Sequence, residues 1–392
     1  MDELRVVTSC RGRFHIFDQA RELARHNILH QLITDYPKSH TSRFGIPPEK
    51  VRSLLLAGVI NHGLVRSRRY LPTELQGRMD QWVHDRFSRQ LEGMIPYGTQ
   101  YFIGLSSFCL EALERCRELG IPSAVDHGSL HQKEDARLVL EEAARWGLPM
   151  PTSKPADWVI EKEDREFQEA DHVFVLSEVA RDSMVRGGIP ANKIFVNHCG
   201  VDLSQFYPHE KIDQIFRVIQ VGGVTLGKGV LTLLDAFAKA DLKDSELWIV
   251  GGGLETSGLQ KKIEVLSTKG VTFHQPVPQT KLRKYYNQSS VFVLASVTDG
   301  FGMVVPQAMA CGLPVIVTDN VGAKDLVVDG VNGFVVPIGA PEIIAERLRQ
   351  LRDDPERCRT MGAAAKLTVE KGYTWQDYGD RLVAFLRAQV SI

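Results

Sequence analysis

The sequence predicts an α/β protein built from two doubly wound domains that face each other across a cleft. Three observations carry that expectation. At 392 residues the chain is too long for one ordinary core and suits two domains of roughly 150 to 200 residues each. Short apolar runs rich in Val, Ile and Phe alternate with helix-length amphipathic stretches almost throughout, the signature of βαβ units and parallel sheets. The series then restarts after CGVDLSQFYPHEKIDQ, a polar, strand-poor stretch that suits a linker.

In the first half the expected strands are LRVVTS, LHQLITD, QYFIGLS, PSAVDHG, HVFVLS and KIFVNH, separated by helices such as HIFDQARELARHN and SSFCLEALERCRELG. In the second half FRVIQVGG, ELWIVGGG, VTFHQ, SVFVLAS, LPVIVTD and GFVVP repeat the pattern. The expected division is a first domain over residues 1–205, a second over 206–372, and a helix within 373–392 that packs back on the first. Sheets of this kind bind ligands outside the carboxyl ends of their strands, so chemistry is expected on the loops that follow strands. No short-period repeat appears, which disfavours a solenoid.

Composition narrows the function classes. Lys and Arg number 47 against 48 Asp and Glu, so there is no global basic field for a nucleic-acid backbone, and nucleic acid is not an expected partner. Cys10, Cys109, Cys116, Cys199, Cys311 and Cys358 show neither CxxC pairing nor metal-ligand spacing. With no charged-then-apolar leader in MDELRVVTSC, a cytoplasmic location is the simplest expectation. No apolar run approaches the ~20 residues of a membrane-spanning helix. The sequence also lacks an Asp-x-Asp pair, a Ser-His-Asp hydrolase elbow and a His-Glu-x-x-His zinc motif, so neither a metal nor another cofactor is expected.

The stretch SVTDGFGMVVPQAMACGLPVIVTD, Ser296 to Asp319, puts a Gly-Phe-Gly turn between an apolar run and a helix. Bare backbone at a helix start offers N–H groups to an anion, and Gly300 and Gly302 keep side chains out of the way. Three segments together resemble a known family. GIPANKIFVNHCGVDLSQFYP is similar to its interdomain hinge, and VGGVTLGKGVLTLLDAF to its phosphate-gripping loop and helix. DGFGMVVPQAMACGLPVIVTDNVGAKDLVVDGVNGFVVP is similar to its donor-binding signature. The family is that of the retaining nucleotide-sugar glycosyltransferases of the GT-B fold, family 4 (glycosyl transferases group 1). The opening GRFHIFDQARELARHNILHQLITDYP is similar to a subset of it.

The resemblance implies roles for particular residues. In the family two glutamates flank the turn, the first reaching the transferred sugar and the second holding the ribose hydroxyls. Asp299 and Gln307 stand at those positions, one shorter by a methylene and the other uncharged. Gly300, Phe301, Gly302, Met303 and Val304 form the implied donor-binding helix start. Lys228 in TLGKG is implied to meet the diphosphate, without the arginine the family usually adds, because Gly223 and Gly227 hold its places. His127 matches a histidine that contacts the sugar from the opposite wall; His131 competes for that role, and Asp126 is a candidate to orient it. Lys228, Asp299 and His127 are thus the expected catalytic group.

Gly12 stands where the family's glycine loop approaches the diphosphate or acceptor, and its neighbours Arg11 and Arg13 can supply the cation that Gly223 and Gly227 do not. Gly251 to Gly253 resemble a loop near the nucleotide, and Pro276 and Val277 in FHQPVPQTKL a loop lining the base. Each of these has a plainer reading as well: a turn capping a core helix, solvated basic side chains, a structural histidine.

Between Tyr36 and Tyr70, Lys38, Arg43, Lys50, Arg52, Arg66, Arg68 and Arg69 stand against the single acidic Glu49, around the apolar run LLLAGVI. Two readings stay open: peripheral contact with anionic lipid or an acidic acceptor, and an inserted helix with a solvated basic side. The expected activity is metal-independent, retaining transfer of a sugar from a nucleotide-diphosphate sugar, UDP-sugar favoured, to a glycan, a lipid-linked saccharide or a small molecule. The implied chemistry needs no protein nucleophile. The acceptor attacks on the front face, and the leaving phosphate helps to deprotonate it. A catalytically weakened nucleotide-sugar binder with a regulatory or partner-binding role is the alternative, motivated by Asp299, Gln307, Gly223 and Gly227. An epimerase or phosphorylase on the same fold ranks third.

Overall fold

The computed structural model of the chain describes residues 4–54, 73–149, 156–253 and 257–390. Among them two sheets form, and every strand pairing in both is parallel. The first contains β1 (Val6–Cys10), β2 (Leu29–Thr34), β3 (Val51–Ser53), β4 (Tyr101–Leu105), β5 (Ser123–His127), β6 (His172–Val175) and β7 (Ile194–Val196), in the order β3-β2-β1-β4-β5-β6-β7. The second contains β8 (Phe216–Val221), β9 (Ser245–Val250), β10 (Val271–His274), β11 (Val291–Leu294), β12 (Val315–Thr318) and β13 (Gly333–Val336), in the order β10-β9-β8-β11-β12-β13. All the strands expected from sequence are present. The edge strand β3 is additional, inside the basic segment; the rest of that segment's apolar run beyond Leu54, with Arg66, Arg68 and Arg69, lies outside the described residues.

Both sheets are covered on two faces, which is why their central strands are nearly continuous apolar runs; β4 and β11, for example, are buried along their whole length. The first helix, Ile16–Arg25, buries Ile16, Phe17, Ala20 and Leu23 at helical spacing, while Arg25 stays at the surface. One apolar cluster fills the outer side of each sheet. A third runs without a break from β1 to β11 and β12 through Cys199, Val201, Phe206, Trp375 and Tyr378, so the two halves share an inner apolar layer.

Strand order reverses once in each sheet, between β1 and β4 and between β8 and β11. Such a reversal splays the following loops apart and leaves a crevice at the carboxyl ends of the strands. No helix among the described residues is long and apolar enough to cross a membrane. All six cysteines are unpaired.

The chain crosses between the sheets twice. The first crossing follows β7, and the second leads to the helix Trp375–Gln389, which returns to lie on the first helix. Thr374 and Asp377 start this returning helix with a capping box. The crossings touch, because Val201 donates its N–H to Tyr373 O at 2.8 Å. Gly200 permits this, since a Cβ there would lie 2.3 Å from Trp375 N. Arg381 on the returning helix donates to Asn197 Oδ1 (3.0 Å), His198 O (2.8 Å) and Gly372 O (2.8 Å), holding both crossings with one guanidinium.

Gly379 lets the returning helix approach the first helix, because a Cβ there would sit 2.6 Å from Glu22 Cβ. Gly379→Ala is expected to cost on the order of 1–3 kcal/mol by overpacking, seen as a lowered thermal unfolding midpoint. Gly372→Ala, where an added Cβ meets nothing within 4 Å, is the matched control and is expected to leave the midpoint in place.

Candidate active site

A cleft of ≈ 1360 Å³ lies between the carboxyl ends of the two sheets. On the first-domain side it is lined by the loops after β1, β4 and β5; on the other by the loops after β10 and β11. The two crossings close its floor, with Cys199 to Phe206 and Thr374 to Gln376.

The second-domain wall is built on the turn after β11. Asp299, Phe301, Gly302, Met303, Val304 and Gln307 line the cleft here. Gly302 takes φ +84°, and a side chain there would crowd Leu294 at 3.1 Å and Val321 at 3.2 Å, so the turn demands glycine. Asp299 does not stand free. Its Oδ2 accepts a 2.6 Å hydrogen bond from Lys228 Nζ, making an ion pair at the second sheet's strand-order reversal. Lys228 itself is one residue short of Gly229, which caps the helix Val230–Ala240 in the left-handed conformation. Gln307 is almost fully buried, and its Oε1 accepts from Tyr286 Oη at 3.2 Å.

Gly300 departs from its expected role. A Cβ on it would lie 2.2 Å from Gly128 O and 2.7 Å from Ser129 Cα of the first domain, and its own carbonyl accepts from Ser177 Oγ at 2.7 Å. Its bareness therefore serves the contact between the domains. Further polar contacts close the same side: Thr298 Oγ1 donates to Asp135 Oδ1 at 2.5 Å, and Thr232 Oγ1 to Glu142 Oε1 at 3.1 Å.

On the first-domain wall His127 lines the cleft, yet both its ring nitrogens are engaged, Nδ1 by Ser106 Oγ at 2.9 Å and Nε2 by Leu130 O at 3.0 Å. In this arrangement it braces its own loop. Asp126 does not orient it. Successive residues of a strand point to opposite faces, and Asp126 Oδ1 instead meets His15 Nε2 at 2.8 Å while its Oδ2 accepts from Gln19 Nε2 at 2.8 Å. Burial opposes a charge on His15, but the charge of Asp126 and the hydrogen bond to it leave the imidazole pKa raised above its ordinary 6.5. His131 is not at the cleft; its ring caps the helix Gln132–Arg145 and lies 3.2 Å from Asp164.

Ser107, at the cleft edge after β4, adopts φ +71°. Buried Glu166 holds it there, accepting from the N–H groups of Ser107 (2.6 Å) and Cys109 (2.8 Å), and burial pushes this carboxyl up to about 8 despite both donors. Arg13 lines the cleft, its guanidinium 4.2 Å from the Phe44 ring centroid and bonded to Gln279 Oε1 at 3.2 Å on the opposite wall.

Several expected residues fall outside the lining: Gly12, Gly223, Lys228, Gly300, Pro276 and Val277. Gly12 takes φ +83° and donates its N–H to Asp35 Oδ1 at 3.0 Å, and Arg11 packs against Phe108. Gly251 is explained by packing, since a Cβ there would lie 1.7 Å from Gly222 O, and Pro276 rests on Gly252. Conversely His15, Ser107 and Gln279 line the cleft without having been singled out. His15 was visible only as a polar residue after the first strand, in a position that the loop rule marks but does not rank.

Residues 205–368 match the family described as Glycosyl transferases group 1. The chain is 29% identical over 245 residues to the D-inositol 3-phosphate glycosyltransferase 1 of Catenulispora acidiphila, covering 57% of this chain and 56% of that protein. It is 26% identical over 259 residues to the alpha-maltose-1-phosphate synthase of Mycolicibacterium smegmatis, covering 59% and 66%. The matches thus span between half and two thirds of these relatives' lengths. In fold, the sucrose-phosphate synthase of Thermosynechococcus elongatus superposes with a TM-score of 0.72 at 18% identity over 99% of both chains. The Anabaena protein Alr3699/HepE, solved in complex with UDP and glucose, gives 0.68 at 14% identity, over 98% of this chain and 100% of that one. Residues 205–368 are a glycosyl transferases group 1 domain, set in a chain of GT-B architecture.

Proposed function

We propose that the chain transfers a sugar from a nucleotide-diphosphate sugar, with UDP-sugar favoured, to an acceptor held mainly by the first domain, with retention of configuration and without a metal. The observation that carries this reading is the Lys228–Asp299 pair, 2.6 Å apart beside a deep cleft, in a glycosyl transferases group 1 domain. A diphosphate is a stronger partner for an ammonium than one carboxylate. On donor binding Lys228 exchanges Asp299 for the diphosphate, and Asp299 turns to the sugar hydroxyls. As the bond from the anomeric carbon to the diphosphate oxygen breaks, its electron pair leaves with that oxygen, where Lys228 stabilises the growing charge. No divalent ion enters, because the sequence has no paired-aspartate motif and Lys228 supplies the neutralising charge.

The test is a panel of UDP-, GDP- and ADP-sugars scored for binding and for slow hydrolysis. Binding without hydrolysis of any donor would favour a weakened homologue, the reading motivated by Gly223 and Gly227 where a second cation would stand.

Lys228→Ala is expected to lower kcat/KM by about 2–4 kcal/mol, or about thirty- to several hundred-fold, with the fold intact by circular dichroism. Wild-type rates would remove Lys228 from the reaction. EDTA is expected to leave turnover unchanged; loss of activity restored by manganese or magnesium would overturn the metal-independent reading.

Gln307→Glu keeps an acceptor for Tyr286 Oη and adds a charged oxygen for the ribose. It is expected to tighten nucleoside diphosphate binding by roughly 1 kcal/mol, with Gln307→Ala weakening it, both read by calorimetry. Equal affinities for Gln, Glu and Ala at 307 would mean that the residue does not touch the nucleotide.

A further inference from the structure

The first-domain side of the cleft carries two cations that the donor reading leaves unused. Arg13, in the loop after β1, and Arg43, in the short turn Ser42–Phe44 between β2 and β3, both line it. Among the described residues Arg13 makes one hydrogen bond, to the neutral Gln279 Oε1 at 3.2 Å, and its guanidinium rests 4.2 Å from the Phe44 ring centroid. Arg43, the neighbour of Phe44, makes neither a hydrogen bond nor an ion pair among those residues. The two charges converge on His40, whose ring centroid is 5.5 Å from that of Phe44: burial first, then Arg43 and Arg13, hold its imidazole below the ordinary 6.5. Asp18, the carboxylate that also feels Arg13, is bonded to Arg21 at 2.6 Å. Two guanidinium groups thus share one corner of the cleft without a counter-ion, an arrangement suited to gripping an oxyanion through paired N–H donors.

Phe14 stands beside them. It lines the cleft at 64% exposure and holds a left-handed φ of +36°, which a bulky side chain adopts only under constraint. Its ring lies against bare Gly12, where a Cβ would come 3.1 Å from Phe14 Cε2. The chain therefore supports an aromatic ring that stays open to the cleft, and such a ring offers an apolar face to the C–H side of a sugar.

We infer that the acceptor is a sugar carrying a phosphate monoester, with Phe14 stacking against the ring and Arg13 and Arg43 gripping the phosphate. The inference rests on the sugar-transfer reading above and names the acceptor class for it. A phosphate monoester carries about two negative charges near neutral pH and so answers two guanidinium groups, where a carboxylate answers one. On binding, it takes Arg13 from Gln279, a neutral amide oxygen being the weaker partner. Lys228, which the donor reading gives to the diphosphate, is tied to Asp299 on the other wall, so the two anions are held by different cations.

The experiment is calorimetry on the full chain with UDP saturating, so that the donor's phosphate positions are filled. Glucose 6-phosphate, glucose 1-phosphate and mannose 6-phosphate are titrated, each beside its free hexose, with glucuronate as the carboxylate control. At least one hexose phosphate is expected to bind about tenfold or more tighter than its free hexose, and tighter than glucuronate. Arg13→Gln and Arg43→Gln are each expected to weaken that hexose phosphate about tenfold while UDP affinity holds. Phe14→Gly, which keeps the left-handed backbone, is expected to weaken it about threefold to tenfold, with Phe14→Tyr restoring it. No preference for the phosphates, or wild-type affinity for them in any of these Gln or Gly variants, would overturn the acceptor assignment. So would glucuronate binding as tightly as the best phosphate, or an Arg13→Gln variant that loses UDP affinity, which would put that arginine on the donor. A wild-type chain that does not bind UDP would overturn the sugar-transfer reading, and the inference with it.

Discussion

The facing of the two sheets depends on Arg381. One planar guanidinium satisfies an amide oxygen and two carbonyls from both segments that cross between the domains, so the crossings are held side by side rather than swinging independently. Such a fork suits an arginine and no other side chain, since its donors are fixed in one plane. Burial works against its charge, while Asp377 in the same helix supports it. Once the crossings are fixed, the carboxyl ends of both sheets meet across a single cleft, and the contact of Gly300 with Gly128 closes the remaining side.

The cleft is electrically organised by what each wall holds back. Lys228 and Asp299 neutralise each other on one side, and His15 and Asp126 are joined on the other. Neither pair presents a bare charge to the solvent. On the proposed reading, a diphosphate must win Lys228 from Asp299, and an anion that binds an ammonium more weakly than a carboxylate does would not.

The fold was legible because the signals for it are local. A buried parallel strand announces itself in a few consecutive residues, and each of the twelve runs read as strands forms one. β3 escaped because three residues, Val51–Ser53, at a sheet edge carry no run of that kind. The turn at Asp299 to Val304 was legible for the same reason. The pairing of His15 with Asp126 was not: it joins residues 111 apart in sequence, and nothing in DH at 126–127 says which of the two adjacent side chains faces the cleft and which faces the sheet's other side. Gly300 shows the converse ambiguity. A glycine in a turn marks close approach, but the sequence does not say whether a ligand or another stretch of backbone is approaching.

The returning helix has a consequence for the order of events during synthesis. The side of the first helix that carries Gln19, Glu22 and Arg25 is completed by Tyr378, Gly379 and Asp380, which are made more than 350 residues later. All the strands of the second sheet lie between these two helices in the sequence. On the ribosome, the second sheet has all its strands while the first domain still waits for its last piece, so the half of the molecule that begins first is the half that is finished last.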